Sequence, residues 1–207
     1  GCLCNPLAGH EWDITCETAA GEPKEVMVVG GGAAGMNAAI AACDRGHRVS
    51  LYEKSGCLGG QLYLAAAPPG REEFAQLARD LENQVAVRNI QVFLNTTVDE
   101  ALIDAQKPDH IVLAAGASPM TPPVPGIELP HVVQSWDVLS GKTYTGRRVV
   151  VIGGGAVGVE TALFLAEKRA FRRAFRWIDE AIRRTGGRVR SIRHSHAIIL
   201  FKANIGA

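Results

Sequence analysis

One short pattern occurs twice in this 207-residue chain: an apolar, β-branched run, then a GxGxxG turn, then the start of a helix. The first copy is Val26-Met27-Val28-Val29 followed by Gly30-Gly31-Gly32-Ala33-Ala34-Gly35. The second is Arg148–Ile152 followed by Gly153-Gly154-Gly155-Ala156-Val157-Gly158, offset by 123 residues. A strand that breaks into such a turn suits a pyrophosphate, which carries negative charge and must be approached closely. Gly30 permits the tight turn, Gly32 leaves no Cβ in the way of the phosphates, and Gly35 lets the helix pack on the strand. Free N–H groups at the helix start, around Ala34, then face the anion. Gly153, Gly155 and Gly158 repeat the set. Two copies predict two dinucleotide sites on an α/β fold.

The first copy has supporting context. An Ala-rich run to Arg45 reads as a helix stopped by Gly46, and Val49–Tyr52 reads as a second strand, closing a βαβ unit. Glu53 follows that strand, 23 residues after Gly30, where a carboxylate accepts hydrogen bonds from ribose hydroxyls. No comparable strand and acid follow the second copy. Leu58-Gly59-Gly60-Gln61 is a further glycine loop, and Pro68-Pro69-Gly70 forces a break. Phe74, Leu77, Ala78, Leu81 and Val85 recur at helical spacing; Ile90, Val92 and Leu94 alternate as in a short strand. Asp109–Ala115 predicts another strand ending at Ala115-Gly116, and the Pro-rich residues 119–130 read as a connection between two lobes.

Composition excludes other classes. At 47% apolar residues the chain can build a core, and its five cysteines are too few and odd in number for a disulfide framework. The longest uncharged stretch, Ile111–Ile127, is broken by four prolines and cannot be a spanning helix. No basic region followed by an apolar core marks a signal peptide at the N-terminus, so a reducing cytoplasm is the expected compartment. Because it starts at Gly1, the chain is expected to be a fragment or a processed product.

Several segments carry a family resemblance: Cys2-Leu3-Cys4-Asn5-Pro6, the GGGAAG turn, RGHRVSLYEKS, LGGQL, PPGREEF, LAAGASP, SWDVL and VVVIGGGAVGVETALFLAEK. Residues 1–167 resemble the C-terminal part of the NADH:flavin oxidoreductase family that includes 2,4-dienoyl-CoA reductase, 2-enoate reductase and trimethylamine dehydrogenase. The resemblance implies a Rossmann-like fold of two incomplete dinucleotide lobes, the first for FAD and the second for NAD(P)H. It divides the chain into a lead-in segment (1–22), a partial FAD lobe (23–145), the start of an NAD(P) lobe (146–168) and a tail that does not match (169–207).

The resemblance also implies roles. Gly60 and Gln61 lie by the ADP part of the cofactor, Lys54 by the ribose edge, Val98 by the adenine, and Ala115 and Gly116 at a close approach of cofactor and chain. Ordinary core packing for Val98 and a solvated loop position for Gln61 are the alternatives. Glu160 resembles part of the second, NAD(P)-binding fingerprint. Cys2 matches the last ligand of the family's 4Fe–4S cluster; the other ligands, the FMN-binding barrel and the substrate step are expected on a missing upstream part. Electrons would pass from NAD(P)H through FAD, the cluster and FMN to an activated C=C bond of a small-molecule substrate. No catalytic residue is assigned in this chain. A nucleotide-binding fragment without turnover is the alternative, and a disulfide reductase of the thioredoxin-reductase type lacks its Cys-x-x-Cys.

Charge divides the chain near Lys168. Residues 1–167 hold 11 basic and 19 acidic side chains, whereas residues 168–207 hold 11 basic and 2 acidic ones. The resemblance stops at the same place, so the tail is expected to be out of frame or the end of a truncated gene. A replacement strand at Gly187–Ile192 is one rival. A basic helix for nucleic acid or an anionic membrane, with Phe171, Phe175, Trp177 and Ile178 among arginines, is another. Neither a membrane nor a nucleic-acid partner is expected.

Overall fold

β-Branched and apolar residues fill the centre of a parallel sheet. In the computed structural model, which describes residues 8–10, 19–146 and 148–167 and the backbone of 196–200, β1 (Glu25–Val29) pairs in parallel with β2 (Arg48–Tyr52) on one side and β4 (His110–Leu113) on the other. β2 pairs with β3 (Gln91–Phe93), giving the order β3-β2-β1-β4. Parallel strands need crossovers, and the first is α1 (Ala33–Asp44). α2 (Gln61–Ala65) and α3 (Glu73–Val87) lie between β2 and β3, and α4 (Glu100–Gln106) lies between β3 and β4.

Alternation along the strands puts Val26, Val28, Val49 and Leu51 on one face. There they form one core with Met36, Ala39 and Ile40 of α1, Leu81 and Val85 of α3, and Ile90. Leu51, Val28 and Met36 are wholly buried. Replacing Leu51 by Ala removes a side chain that no collapse easily replaces, a loss of about 2–5 kcal/mol. α1 stops where expected. Gly46 takes φ +89° and its N–H donates to the Cys43 carbonyl at 2.9 Å. The Arg88 guanidinium, just past α3, grips both Asp44 carboxylate oxygens at 2.6 and 2.9 Å, tying the ends of α1 and α3 together.

A second, three-stranded sheet has the order β5-β7-β6, all parallel, from β5 (Val132–Gln134), β6 (Arg148–Ile152) and β7 (His196–Leu200). α5 (Ser135–Leu139) follows β5, and α6, residues 156–167, follows β6. The chain divides into two compact units between Ala117 and Ser118, with Ala67–Arg71 grouped in the second. Residues 118–145, read from the sequence as first-lobe chain, cluster in the second unit because β5 pairs with β7. The sequence reading also foresaw no strand after residue 192. The apolar run Ala197-Ile198-Ile199-Leu200 supplies one, in register with Val149–Ile152. The rival strand at Gly187–Ile192, the rival basic helix and Cys2 lie outside the described residues.

Candidate dinucleotide sites

The first glycine turn is fixed by backbone at its first and last glycines. Gly30 leaves β1 at φ +110°, and a Cβ there would collide with the Ala114 carbonyl and come within 3.2 Å of the Ala115 nitrogen. A Cβ on Gly35 would collide with the Gly30 carbonyl. These two positions are glycine because helix, turn and the end of β4 touch there. Gly32 differs, since a Cβ on it would meet nothing within 4 Å. It faces open space, and as the N-cap of α1 it has no side chain capping the helix. Ala34, in the first turn, is exposed. A helix start left uncapped beside a Cβ-free approach fits a pyrophosphate, with α1's dipole and its first N–H groups facing the charge.

Glu53 is 8% exposed and both its carboxylate oxygens are engaged. Oε2 accepts the Gly31 N–H at 2.7 Å and Oε1 accepts the Ser55 N–H at 2.8 Å. Burial works against its charge, but the Ser55 and Gly31 amides, the Ser55 hydroxyl and Lys54 outweigh burial, and the carboxyl lies below its ordinary range. The group is therefore an ionised acceptor clamped to the glycine turn. Each oxygen keeps lone-pair capacity for a hydroxyl donor such as a ribose.

Three loops close on the turn. Gly59 N–H donates to the Gly31 carbonyl at 2.8 Å, and a Cβ on Gly60 would lie 3.3 Å from the Gly32 Cα. Gln61, at the start of α2, donates its Nε2 to the Ala117 carbonyl at 3.1 Å. The same Nε2 lies 3.1 Å from where a Cβ on Gly116 would be. Gln61 is thus a brace between the glycine loop and the chain leaving β4. Asn95 and Thr96 N–H groups donate to the Ser55 and Glu53 carbonyls, both at 2.9 Å. Val98 is half-buried two residues further on, and Lys54 is exposed beside Glu53. Gly30, Gly32, Gly35, Glu53, Gly60, Gln61, Ala115 and Gly116 thus surround one turn, with Lys54 and Val98 at its margin.

The second turn repeats the entry geometry. Gly153 takes φ +114°, and Cβ atoms on Gly154 or Gly155 would meet nothing within 4 Å. Gly158 is buried, and Val159 N–H donates to the Gly155 carbonyl at 3.1 Å as α6 begins. This also fits a pyrophosphate. Glu160 is ion-paired with Arg71. Arg71 received no role from the sequence, because a cation in a Pro-Gly loop gives no sign of a partner 89 residues away.

Residues 24–192 match the family described as pyridine nucleotide-disulphide oxidoreductase. The chain belongs to this family. The match runs past Lys168, where the recognisable motifs stop. Among relatives, the chain is 44% identical over 166 residues to bilirubin reductase of Mediterraneibacter gnavus, covering 80% of this chain and 26% of that protein. It is 46% identical over 173 residues to NADH oxidase of Thermoanaerobacter brockii, covering 82% and 27%. A solved 2-naphthoyl-CoA reductase in complex with 2-naphthoyl-CoA superposes with TM-score 0.77 at 37% identity, covering 81% of this chain and 26% of that one. The chain spans about a quarter of the length of the relatives it matches. The named relatives in this family are oxidoreductases, and this chain has their α/β dinucleotide-binding fold. Among the described residues no helix is long and apolar enough to cross a membrane, and no group of three or more His, Cys, Asp and Glu is placed to hold a metal ion.

Proposed function

We propose that this chain is the FAD- and NAD(P)H-binding portion of an oxidoreductase, with FAD at the first glycine turn and NAD(P)H at the second. One observation carries the reading: the Glu53 carboxylate is locked onto Gly31 beside the uncapped start of α1, with open space in front of Gly32. Bound FAD would supply a two-electron acceptor for a hydride from NAD(P)H. The chain's own residues bind and orient. Gly32 and the first turn of α1 hold the pyrophosphate, Glu53 takes the adenosine ribose, and Gln61 keeps the Ala115–Ala117 backbone in place. Gly153, Gly155 and Gly158 do the same for the second nucleotide.

The relatives are about three times as long as this chain. We therefore place an FMN-binding barrel and a 4Fe–4S cluster, with Cys2 as one ligand, in a full-length parent. Its final small-molecule substrate would carry an activated C=C bond, and its compartment would be the cytoplasm. A disulfide substrate is disfavoured, because no Cys-x-x-Cys occurs in the sequence.

Purifying the 207-residue chain and identifying released flavin by chromatography tests the first site. Stoichiometric FAD, bleached by NADH or NADPH without oxygen, is the expected result. Flavin-free protein that takes up neither FAD nor ADP would overturn the proposal. Binding without bleaching would favour the second reading, a nucleotide-binding portion with no turnover of its own. That reading draws on the short span of the relatives that this chain covers.

A further inference from the structure

A chain of contacts runs from α3 to the first glycine turn, with Tyr63 of α2 in the middle of it. The Tyr63 hydroxyl donates to Glu82 Oε1 on α3 at 2.9 Å. Its ring lies against Gly59, where a Cβ would collide with the ring and come within 3.3 Å of the Ala78 Cβ. Gly59 in turn donates its N–H to the Gly31 carbonyl at 2.8 Å. A Cβ on Gly60 would lie 3.3 Å from the Gly32 Cα, so the loop sits directly beside the open position of the turn.

α2 does not hold this arrangement by itself. It has five residues, none of them fully buried, and a single helical turn is not stable alone in water. The loop before it takes φ +96° at Gly59 and +51° at Gly60, a conformation that two adjacent glycines are free to leave. The Glu82 carboxylate holds the Tyr63 hydroxyl above the ordinary phenol range, so the hydroxyl remains a donor at neutral pH.

We propose that Tyr63 is a positioning residue for the first dinucleotide site: tethered to Glu82, it holds the Gly59–Gly60 loop against the glycine turn, beside the pyrophosphate approach at Gly32. This rests on the reading of that turn as the FAD site. Without the tether the loop spends part of its time away from the turn, and the apparent affinity falls with the fraction that stays in place. A merely structural tie between α2 and α3 would lower the melting temperature and leave FAD affinity alone.

The test is titration of FAD into the flavin-free full chain, followed by flavin fluorescence, with melting temperature as the folding control. Tyr63→Phe keeps the ring on Gly59 and removes the tether. FAD should bind it about fivefold more weakly, the effect of losing one ordinary hydrogen bond. Glu82→Ala should match that loss, and the double variant should be no weaker than either single one, because both remove the same bond. Glu82→Gln still accepts the hydroxyl through its amide carbonyl and should stay within about twofold of the wild type. Unchanged affinity in Tyr63→Phe or Glu82→Ala, losses that add in the double variant, or a Glu82→Gln as weak as Glu82→Ala overturns the proposal and leaves the site reading intact. A wild type that binds no FAD overturns the site reading, and the proposal with it.

Discussion

The two glycine turns leave their strands with nearly the same backbone, φ +110° at Gly30 and +114° at Gly153, yet they are supported differently. The first is packed on three sides, by the Ala114 carbonyl, the Glu53 carboxylate and the Gly59–Gly60 loop. Around the second, among the described residues, the contact that stands out is an ion pair, Arg71 with Glu160. A fingerprint motif therefore specifies the turn and not what holds it. The first site is built into the core of its unit, and the second has an ion pair on the helix that follows it. Substitutions at Gly30 and Gly35 should then act on folding, and those at Gly32 and Gly155, where a Cβ meets open space, on ligand binding.

The sharpest break in that comparison is Gly35→Ala. The new Cβ runs into the Gly30 carbonyl, a backbone atom that cannot move without shifting β1. A loss of about 3 kcal/mol is expected. In a chain of this size that is a fall in melting temperature of roughly 6–12 °C. FAD should be lost with it. A melt matching the wild type would show that the contact between Gly35 and the Gly30 carbonyl does not hold the first turn.

Glu53→Gln comes next. The amide keeps the shape but loses the charge that the Gly31 and Ser55 N–H groups stabilise, for about 1–3 kcal/mol at neutral pH. The direction with pH follows from the depressed carboxyl. Its contribution is complete above the carboxyl's unfolded value and disappears as pH falls through the lower, folded one. Wild type and variant should thus converge in acid. Denaturant unfolding at a series of pH values checks this, and a gap that stays constant into acid would mean the carboxylate is not the stabilising species.

Gly155→Ala acts at the second turn, where a Cβ meets open space. Stability should hold while affinity for NAD(P)H falls about tenfold, close to 1.4 kcal/mol, because the methyl group occupies the approach of the phosphates. Nucleotide titration beside a thermal melt separates the two effects. A destabilised Gly155→Ala would erase the contrast between the turns.

How far these features could be read in the sequence depended on how local they are. Glycine turn, helix and second strand all fall within Val26–Tyr52, and there the expected elements match β1, α1 and β2 to within a residue or two at each end. Elements that depend on distant partners were not legible. β5 is three residues long and exists because β7, more than sixty residues on, pairs with it. β7 lies beyond an arginine-rich stretch that hides its apolar run. Gln61 could be marked as a site residue, but the carbonyl it holds, on Ala117, is 56 residues away and carries no side-chain signal. Arg71 and Glu160 have the same difficulty at 89 residues.

The smallest effect isolates the helix end itself. α4 and α1 both begin with an extended N-cap residue, but Asp99 caps α4 by accepting the Leu102 N–H at 2.9 Å, whereas Gly32 offers α1 no side chain at all. Asp99→Ala should therefore cost about 1 kcal/mol, a few degrees of melting temperature, with FAD affinity untouched. Gly32→Asp would place the same carboxylate at the start of α1, where it can satisfy the helix but also occupies the phosphate approach. Melting temperature should hold or rise while FAD is excluded by the new side chain and its charge. Thermal melts with FAD and without it distinguish the two variants. If Gly32→Asp still binds FAD as the wild type does, the open start of α1 is not where the pyrophosphate sits. The missing cap would then be a cost to α1 with no return, and the functional contrast between the two helix ends would be gone.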